Sequence, residues 1–348
     1  MKKAMIAIAM LVSAAIAAAQ PQRRPRIPVE SDYPGAHDPV VAQCDGKYYL
    51  FTTGFGVSIM SSSDMKVWKS AGSVFKTPPQ WALDSVPGYN GHTWAPDIIQ
   101  HDGTWYLYYS CSSFGKNSSA IGVATNKTLD PESPDYKWVD HGPVVVSKPG
   151  QDYWNAIDAN AVIDDKGQAW LDFGSFWGGI KLVKLDKSMT KVDPSQEMLS
   201  LCYRPKGSKP SFDEENPDLD PKQIVADTGT GAVEAPFIFK KDGWYYLFVS
   251  YDVCCRGAES TYKVVVGRSK DVTGPYVDKK GVSMMEGGGH VVVTGNAKYA
   301  GAGHSATVSF NGKDYLFFHA YDTEDAGRSH LIIREINWDK QGWPTVKL

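Results

Sequence analysis

The sequence predicts an all-β fold, a five-bladed β-propeller formed by a single domain. A strand–turn–strand pattern recurs five times along the 348 residues, and no stretch of useful length shows the apolar period of a helix. The repeats begin roughly 55 to 75 residues apart, a period that is typical of propeller blades with several strands each. With 42% hydrophobic residues, the chain has ample material for the core of such a fold.

Each repeat has a glycine-containing turn seven positions after a fixed column. The column is occupied by Pro39, Pro96, Asn160, Pro236 and Ser305, and the turns are Asp45-Gly46, Asp102-Gly103, Lys166-Gly167, Asp242-Gly243 and Asn311-Gly312. Asp-Gly and Asn-Gly between β-rich runs are strong hairpin signals. The column therefore marks the first strand of each blade, and the strand after the turn is the second.

The first strands of a propeller line its central channel, and their starts meet at one end of the axis. Residues at the column or just before it are therefore expected to surround one pocket: His37, Asp38, Trp94, Asp158, Glu234 and His304. Asp97 lies beyond the proline of its repeat and is not assigned to this pocket. His319 is interpreted as a structural residue near the channel, and no role is assigned to His92, Trp177 or His290.

The N-terminus predicts a secreted or periplasmic protein. Met1-Lys2-Lys3 precedes an apolar run from Ala4 to Ala18, and small residues lead to a cleavage site near Ala19/Gln20. We therefore expect a signal peptide over residues 1–19, a flexible Pro- and Arg-rich leader over 20–30, and the propeller domain over 31–348. The polar segment from Pro205 to Gly231 is interpreted as a solvated loop inserted before the fourth blade.

Charge and cysteine content exclude several classes of function. The formal net charge of −3 gives no reason to expect nucleic acid or an anionic membrane as partner, and we expect a monomer. The five cysteines include no CxxC pair, which argues against a zinc site. Cys254 and Cys255 are adjacent, and both a vicinal disulfide and two free thiols stay open.

Three carboxylates in one pocket favour glycoside hydrolysis. An inverting hydrolase needs a base that activates water and an acid that protonates the leaving oxygen, with the two carboxyl groups about 6.5–9.5 Å apart. Opposed blades of a propeller suit that separation. The acid has to stay protonated near neutral pH, so its pKa must be raised by burial or by a nearby like charge. A third carboxylate beside the acid supplies such a charge.

Several short motifs occur in order along the chain: His37-Asp38-Pro39, Thr93-Trp94-Ala95-Pro96-Asp97, Trp154-Asn155-Ala156-Ile157-Asp158, Glu234-Ala235-Pro236, Cys254-Cys255-Arg256-Gly257 with Ser260-Thr261-Tyr262, Gly303-His304 and His319-Ala320-Tyr321-Asp322. Together they resemble glycoside hydrolase family 43, most closely its endo-α-1,5-L-arabinanases, over nearly the whole chain after the signal peptide. This resemblance implies that internal α-1,5 linkages of arabinan are hydrolysed with inversion. The partners would be arabinan and arabino-oligosaccharides.

The resemblance also implies residue roles. Asp38 corresponds to the general base, Glu234 to the general acid, and Asp158 to the residue that raises the pKa of the acid and orients it. Contacts with substrate are implied for His37, Trp94, Phe114, Ser175 and Phe176. The family also carries a metal ion, usually calcium, on the channel axis, and His304 matches the histidine that touches it. Calcium prefers oxygen ligands, so water would complete most of its coordination.

Two other functions stay open. An exo-acting α-L-arabinofuranosidase or β-xylosidase would share this fold, although many such relatives have an additional β-sandwich and this chain stops soon after the fifth repeat. A non-catalytic sugar-binding propeller is the second alternative, but a binding protein has no need of three carboxylates. The size of the products from linear arabinan distinguishes the two modes of cleavage.

Overall fold

The computed structural model describes residues 30–224 and 231–348. Five antiparallel sheets follow one another along the chain and form the blades of a β-propeller, which confirms the predicted fold class. The predicted signal peptide, and the predicted leader except for its last residue, lie outside the described residues. Within the described residues, no helix is long and apolar enough to cross a bilayer.

The strands of the first three blades alternate in direction from the channel outwards. Blade 1 and the segments around it comprise β1 (Glu30–Ser31), β2 (Val40–Cys44), β3 (Lys47–Thr52), β4 (Gly54–Phe55), β5 (Ser58–Ser62) and β6 (Trp68–Ser73). Blade 2 follows the short helix α1 (Gln80–Ser85) and contains β7 (His92–His101), β8 (Thr104–Cys111), β9 (Ser119–Asn126) and β10 (Val139–Ser147). Blade 3 contains β11 (Asn160–Ile163), β12 (Ala169–Phe173), β13 (Ile180–Lys184) and β14 (Leu199–Cys202).

The last two blades complete the circle. Blade 4 contains β15 (Val233–Lys241), β16 (Trp244–Tyr251), β17 (Lys263–Ser269) and β18 (His290–Val293). Blade 5 contains β19 (Tyr299–Phe310), β20 (Lys313–Asp322) and β21 (Arg328–Glu335), and β22 (Asn337–Trp338) pairs with β23 (Pro344–Thr345) after it. Three 3₁₀ turns occur at Pro221–Gln223, Gly257–Glu259 and Met284–Glu286. Apolar side chains of neighbouring blades pack against each other, as Tyr108 and Ile121 do with Leu171.

Four of the five predicted hairpins have a two-residue turn. In each of these, the Asp or Asn and the following Gly both have positive φ, as Asp45 (48°) and Gly46 (76°) do, which is the backbone of a type I′ turn. The turn of blade 3 differs because Ile163 pairs with Ala169 across five residues. There the Asp164 carboxylate accepts hydrogen bonds from the backbone N–H groups of Lys166 and Gln168 and stabilises a longer loop.

An N-terminal segment completes blade 5. Gly35 forms an antiparallel bridge with His330 of β21. Ala36 N–H donates to the Ser329 carbonyl at 3.2 Å, and Leu331 N–H donates to the Pro34 carbonyl at 3.0 Å. The segment 34–36 therefore acts as the outer strand of blade 5, and the chain then continues into β2 of blade 1. This segment, which we call the closing strand, joins the last blade to the first.

A second connection between blades lies at the channel. Near the start of every innermost strand, one non-glycine residue has a left-handed backbone, with φ between 42° and 59°: Asp38, Ala95, Asp158, Ala235 and His304. The N–H of each donates to a side chain of the preceding blade, namely His319, Thr53, Ser110, Asp158 and Ser250 in the same order. Left-handed non-glycine residues are uncommon and cluster at functional sites. These hydrogen bonds fix the side chains that face the mouth of the channel.

Two remaining sequence questions are answered within the described residues. Cys254 and Cys255 form a disulfide, whereas Cys44, Cys111 and Cys202 are free. The described part of the predicted insertion, residues 205–224, is a loop with one 3₁₀ turn that packs on blade 4 through a hydrogen bond from Ser211 N–H to the Gly289 carbonyl at 2.7 Å.

Candidate active site

Asp38 is a buried carboxylate held between two imidazoles. Its Oδ1 lies 2.8 Å from His37 Nδ1 and 2.9 Å from His304 Nδ1, and Thr53 donates its hydroxyl to Oδ2 at 2.5 Å. Burial alone would raise the pKa of Asp38, but the charges of His304 and His37 outweigh burial and hold that pKa well below its usual range. The side chain is therefore an ionised hydrogen-bond acceptor at neutral pH.

Glu234 is a buried carboxyl with the opposite electrostatic setting. Ser175 donates its hydroxyl to Oε2 at 2.5 Å, and the Tyr262 hydroxyl donates to Oε1. Burial first, and the Asp158 carboxylate second, raise the pKa of Glu234 to about 8. Because a hydroxyl can also accept a hydrogen bond, both contacts are compatible with a protonated Glu234. This carboxyl therefore retains a proton near neutral pH.

Asp158 lies between the other two carboxyl groups along the circle of blades. Its own N–H is held by Ser110 at 3.0 Å, and its Oδ2 accepts the N–H of Ala235, the residue after Glu234, at 3.2 Å. Burial raises the pKa of Asp158, the charge of His304 opposes that shift, and the Asp38 carboxylate adds to it. Asp38 thus helps to raise the pKa of Asp158, and Asp158 and Asp38 help to raise that of Glu234, so the fold brings the three carboxyl groups into one cluster.

Of the residues with predicted substrate contacts, His37 and Ser175 contact the carboxyl cluster directly. His37 stacks on His319 with ring centroids 4.0 Å apart, and its Nε2 lies 2.9 Å from the Tyr321 hydroxyl. Trp94 and Phe176 are half-buried, and the Phe114 ring is 79% exposed. Ser175 is buried, and the side-chain contact that the structure gives it is with Glu234. Contact of these five residues with a sugar stays a prediction.

Sequence reasoning missed Thr53 and Tyr262, which donate to the carboxyl groups of Asp38 and Glu234, and His319, which contacts the backbone of Asp38. His319 Nδ1 accepts the Asp38 N–H at 3.1 Å, so this residue, interpreted from sequence as structural, positions a member of the cluster. Burial and the charge of His37 hold the pKa of His319 well below its usual range, which keeps the ring neutral and able to accept. Tyr262 belongs to a motif of the family resemblance, which was the available signal for it.

His304 lies close to the three carboxyl groups, where the ionised Asp38 contributes most of the negative potential. Burial lowers the pKa of this imidazole, but the charge of Asp38 and its hydrogen bond to His304, with smaller contributions from Asp158 and Glu234, outweigh burial and raise that pKa to about 9. In the part of the chain that the structure describes, two groups of three side chains have the spacing of metal ligands, and His304 belongs to neither. A cation beside His304 would therefore be held by one histidine nitrogen and the surrounding negative charge, without a cluster of three His, Cys, Asp or Glu ligands.

Comparison with known proteins identifies the family. The family described as glycosyl hydrolases family 43 matches residues 27–344. The chain belongs to this family. An extracellular exo-α-(1→5)-L-arabinofuranosidase of Cellvibrio japonicus is 48% identical over 89% of this chain and 86% of its own length. An extracellular endo-α-(1→5)-L-arabinanase of Bacillus subtilis is 41% identical over 91% of each chain.

The solved structure of an arabinanase supports both the propeller fold and the family of this chain. The α-L-arabinanase of Cellvibrio cellulosa, determined in complex with arabinohexaose, is 46% identical, covers 90% of this chain and 96% of its own, and superposes with a TM-score of 0.81. One carboxyl held ionised and another held protonated in the same cluster are the two groups that inverting hydrolysis requires.

Proposed function

We propose that this family 43 glycoside hydrolase cleaves internal α-1,5-L-arabinofuranosyl linkages of arabinan with inversion. The observation that carries the mechanism is the opposite perturbation of two buried carboxyl groups. The pKa of Asp38 is held well below its usual range, and the pKa of Glu234 is raised to about 8. Asp38 acts as the base that removes a proton from the attacking water. Glu234 acts as the acid that protonates the leaving glycosidic oxygen.

In this mechanism Asp158 acts through Glu234. Its carboxylate raises the pKa of the acid, and its hydrogen bond to the Ala235 N–H holds the backbone beside the acid. Ser175 and Tyr262 fix the two oxygens of Glu234, so the proton is presented in one direction. Trp94 and Phe114 are proposed to pack against the apolar faces of arabinose rings, with His37 and Phe176 as further contacts.

A second mode of cleavage is favoured by one observation. The relative that is 48% identical is an exo-acting arabinofuranosidase, whereas the endo-acting relative cited above is 41% identical. Both act on α-1,5 linkages by their names, so the two modes share the proposed chemistry. Exo-action by this chain is therefore the second candidate.

A product time course on linear arabinan tests the function. We expect a ladder of oligosaccharides early in the reaction, because internal cleavage releases fragments of every length. Proton NMR of the first products is expected to show the anomer opposite to that of the substrate, because water attacks in a single displacement. Release of arabinose or of one short oligosaccharide alone would support exo-action instead. A retained anomer would contradict Asp38 as a base acting through water.

We also propose that calcium binds on the channel axis, with His304 as its protein ligand and water in the remaining positions. The negative potential that raises the pKa of His304 supports a cation there, and binding of calcium would displace the imidazole proton so that one neutral nitrogen holds the ion. The ion would supply positive charge near the carboxylates. Removal of calcium by a chelator is expected to lower the melting temperature, since a ligand at 100 times its Kd adds about 2.7 kcal/mol to the free energy of unfolding. An unchanged melting temperature would contradict the binding of calcium at this site.

Secretion completes the proposal. The relatives from Cellvibrio japonicus and Bacillus subtilis are extracellular enzymes by name. This supports export of the present chain, with signal-peptide cleavage near Ala19/Gln20. We propose that the enzyme acts as a monomer on extracellular or periplasmic arabinan.

A further inference from the structure

A two-residue strand holds a phenylalanine at the mouth of the channel. β4 is the fifth strand of the blade 2 sheet, where Gly54 pairs with Thr93 and Phe55 pairs with His92. Gly56 N–H donates to the Gly91 carbonyl at 3.0 Å, which continues this pairing. The backbone at Phe55 is therefore fixed, yet 70% of this residue is exposed to solvent.

Phe55 is linked to Asp38 by a chain of contacts that begins with two rings, His92 and Trp94. Its ring lies edge-on to His92, with centroids 5.1 Å apart, and His92 Nδ1 accepts the indole N–H of Trp94 at 2.9 Å. The residue after Trp94 donates its N–H to Thr53, whose hydroxyl is bonded to Asp38. We call Phe55, His92 and Trp94 the aromatic strip.

The strip offers the two kinds of contact that a neutral sugar uses. Because His92 Nδ1 accepts a hydrogen bond, the proton of the neutral ring is on Nε2, which can donate to a hydroxyl group. Burial lowers the pKa of His92 and so favours this neutral form. Phe55 has no polar atoms and presents an apolar face for the C–H groups of a furanose ring. Neither side chain carries a full charge, and an uncharged polysaccharide needs no charged partner.

Exposed rings in the described residues are concentrated at the same end of the propeller. Three aromatic side chains are at least 70% exposed: Phe55, Phe114 and Tyr153. Phe55 and Phe114 follow the second strands of blades 1 and 2, and Tyr153 precedes the first strand of blade 3. These segments all lie at the end where Asp38 and Asp158 begin the innermost strands. Phe55 is therefore one of several exposed rings at the end of the propeller that carries the carboxyl cluster.

We propose that Phe55 and His92 form a further sugar subsite, in which one arabinose residue of the polysaccharide, remote from the cleaved bond, stacks on Phe55 and accepts a hydrogen bond from His92. This inference rests on the proposed function, because it extends the same arabinan chain from the carboxyl cluster along the strip. It makes the catalytic efficiency depend on substrate length.

The test compares Phe55→Ala with the wild-type enzyme on a series of α-1,5-arabino-oligosaccharides of increasing length. We expect kcat/KM to fall on the long substrates by about tenfold more than on the shortest one, through KM, because a contact made equally in the ground and transition states changes KM alone. Phe55→Trp retains an aromatic platform and is expected to restore the dependence on length. Val67→Ala truncates another exposed apolar side chain of blade 1, in the turn between β5 and β6, and is the matched control.

Calorimetric binding of the longest oligosaccharide supplies a readout without turnover. In a Glu234→Gln background, Phe55→Ala is expected to weaken binding by a similar factor, whereas Val67→Ala leaves it unchanged. Equal affinities with and without Phe55, or an equal loss of kcat/KM at every substrate length, would overturn the subsite. The proposed function is judged separately by hydrolysis of arabinan by the wild-type enzyme. A wild-type enzyme that cuts arabinan with no dependence on Phe55 contradicts the subsite alone.

Discussion

Replacement of Glu234 by Gln is expected to lower kcat on linear arabinan by about 10²–10⁴-fold, the range for loss of a general acid or base. The amide has nearly the same shape and can keep the contacts with Ser175 and Tyr262. It has no proton to deliver to the leaving oxygen. The measurement is steady-state hydrolysis of arabinan by the purified variant, with Glu335→Gln, an exposed glutamate paired with Lys313, as the control.

Leaving-group dependence distinguishes this acid role from a general loss of structure. In an aryl α-1,5-arabino-oligosaccharide with an acidic phenol, the phenolate leaves without needing a proton. Glu234→Gln is therefore expected to retain far more activity on this substrate than on arabinan. The wild-type rate on arabinan is expected to fall as the pH rises through about 8, because the raised pKa of Glu234 keeps its proton only below that value. An equal loss on both substrates, or an alkaline limb unaffected by the substitution, would rule out this role.

Replacement of Asp38 by Asn is expected to lower kcat by about 10²–10⁴-fold on arabinan and on the aryl substrate alike. The attacking water has to be deprotonated whichever group leaves. An activated phenol as leaving group therefore does not restore the activity of Asp38→Asn. Asn tolerates the left-handed backbone that Asp38 adopts, with φ of 53°, and it can still accept from Thr53. Hydrolysis of the two substrates under the same conditions measures the effect. Asp102→Asn, in an exposed turn, is the matched control.

Chemical rescue supplies the complementary experiment for the base. Asp38→Gly removes the carboxylate at a position whose positive φ glycine adopts without cost. Azide is already a nucleophile and needs no deprotonation, so it is expected to restore turnover and to form a glycosyl azide. High residual activity of Asp38→Asn, or a loss confined to arabinan, would assign the water-activating role to another group.

The repeat column explains how much of the site could be predicted. A constant offset to the turn glycine places Asp38, Asp158 and Glu234 at or just before the starts of first strands, and the closed circle of blades then brings them together. Their surroundings could not be predicted in the same way. Thr53 and His319 lie outside the column, and Tyr262 precedes a third strand, where sequence offsets differ between blades. Their hydrogen bonds depend on how one blade packs against the next, which no periodicity records.

Three features of the structure do not follow from the repeat pattern of the sequence. In blade 3 the left-handed residue, Asp158, lies two positions before the column, whereas in the other four blades the corresponding residue lies one position before it. The hairpin of that blade also has a longer turn. His92 received no role from sequence, because its position matters only through the pairing of β4 with β7. The position of His92 thus depends on contacts between segments that are distant along the chain.

The closing strand ties the integrity of the whole circle to the chemistry. Residues 34–36 are held by β21, and Asp38 follows only two residues later, with its own N–H held by His319 of the same blade. The closing strand and the proposed base therefore lie within one short segment, residues 34–38. If the closing strand separated from β21, Asp38 would leave the carboxyl cluster while the sheets of the middle blades were still intact. Catalysis therefore requires that this one junction stays closed.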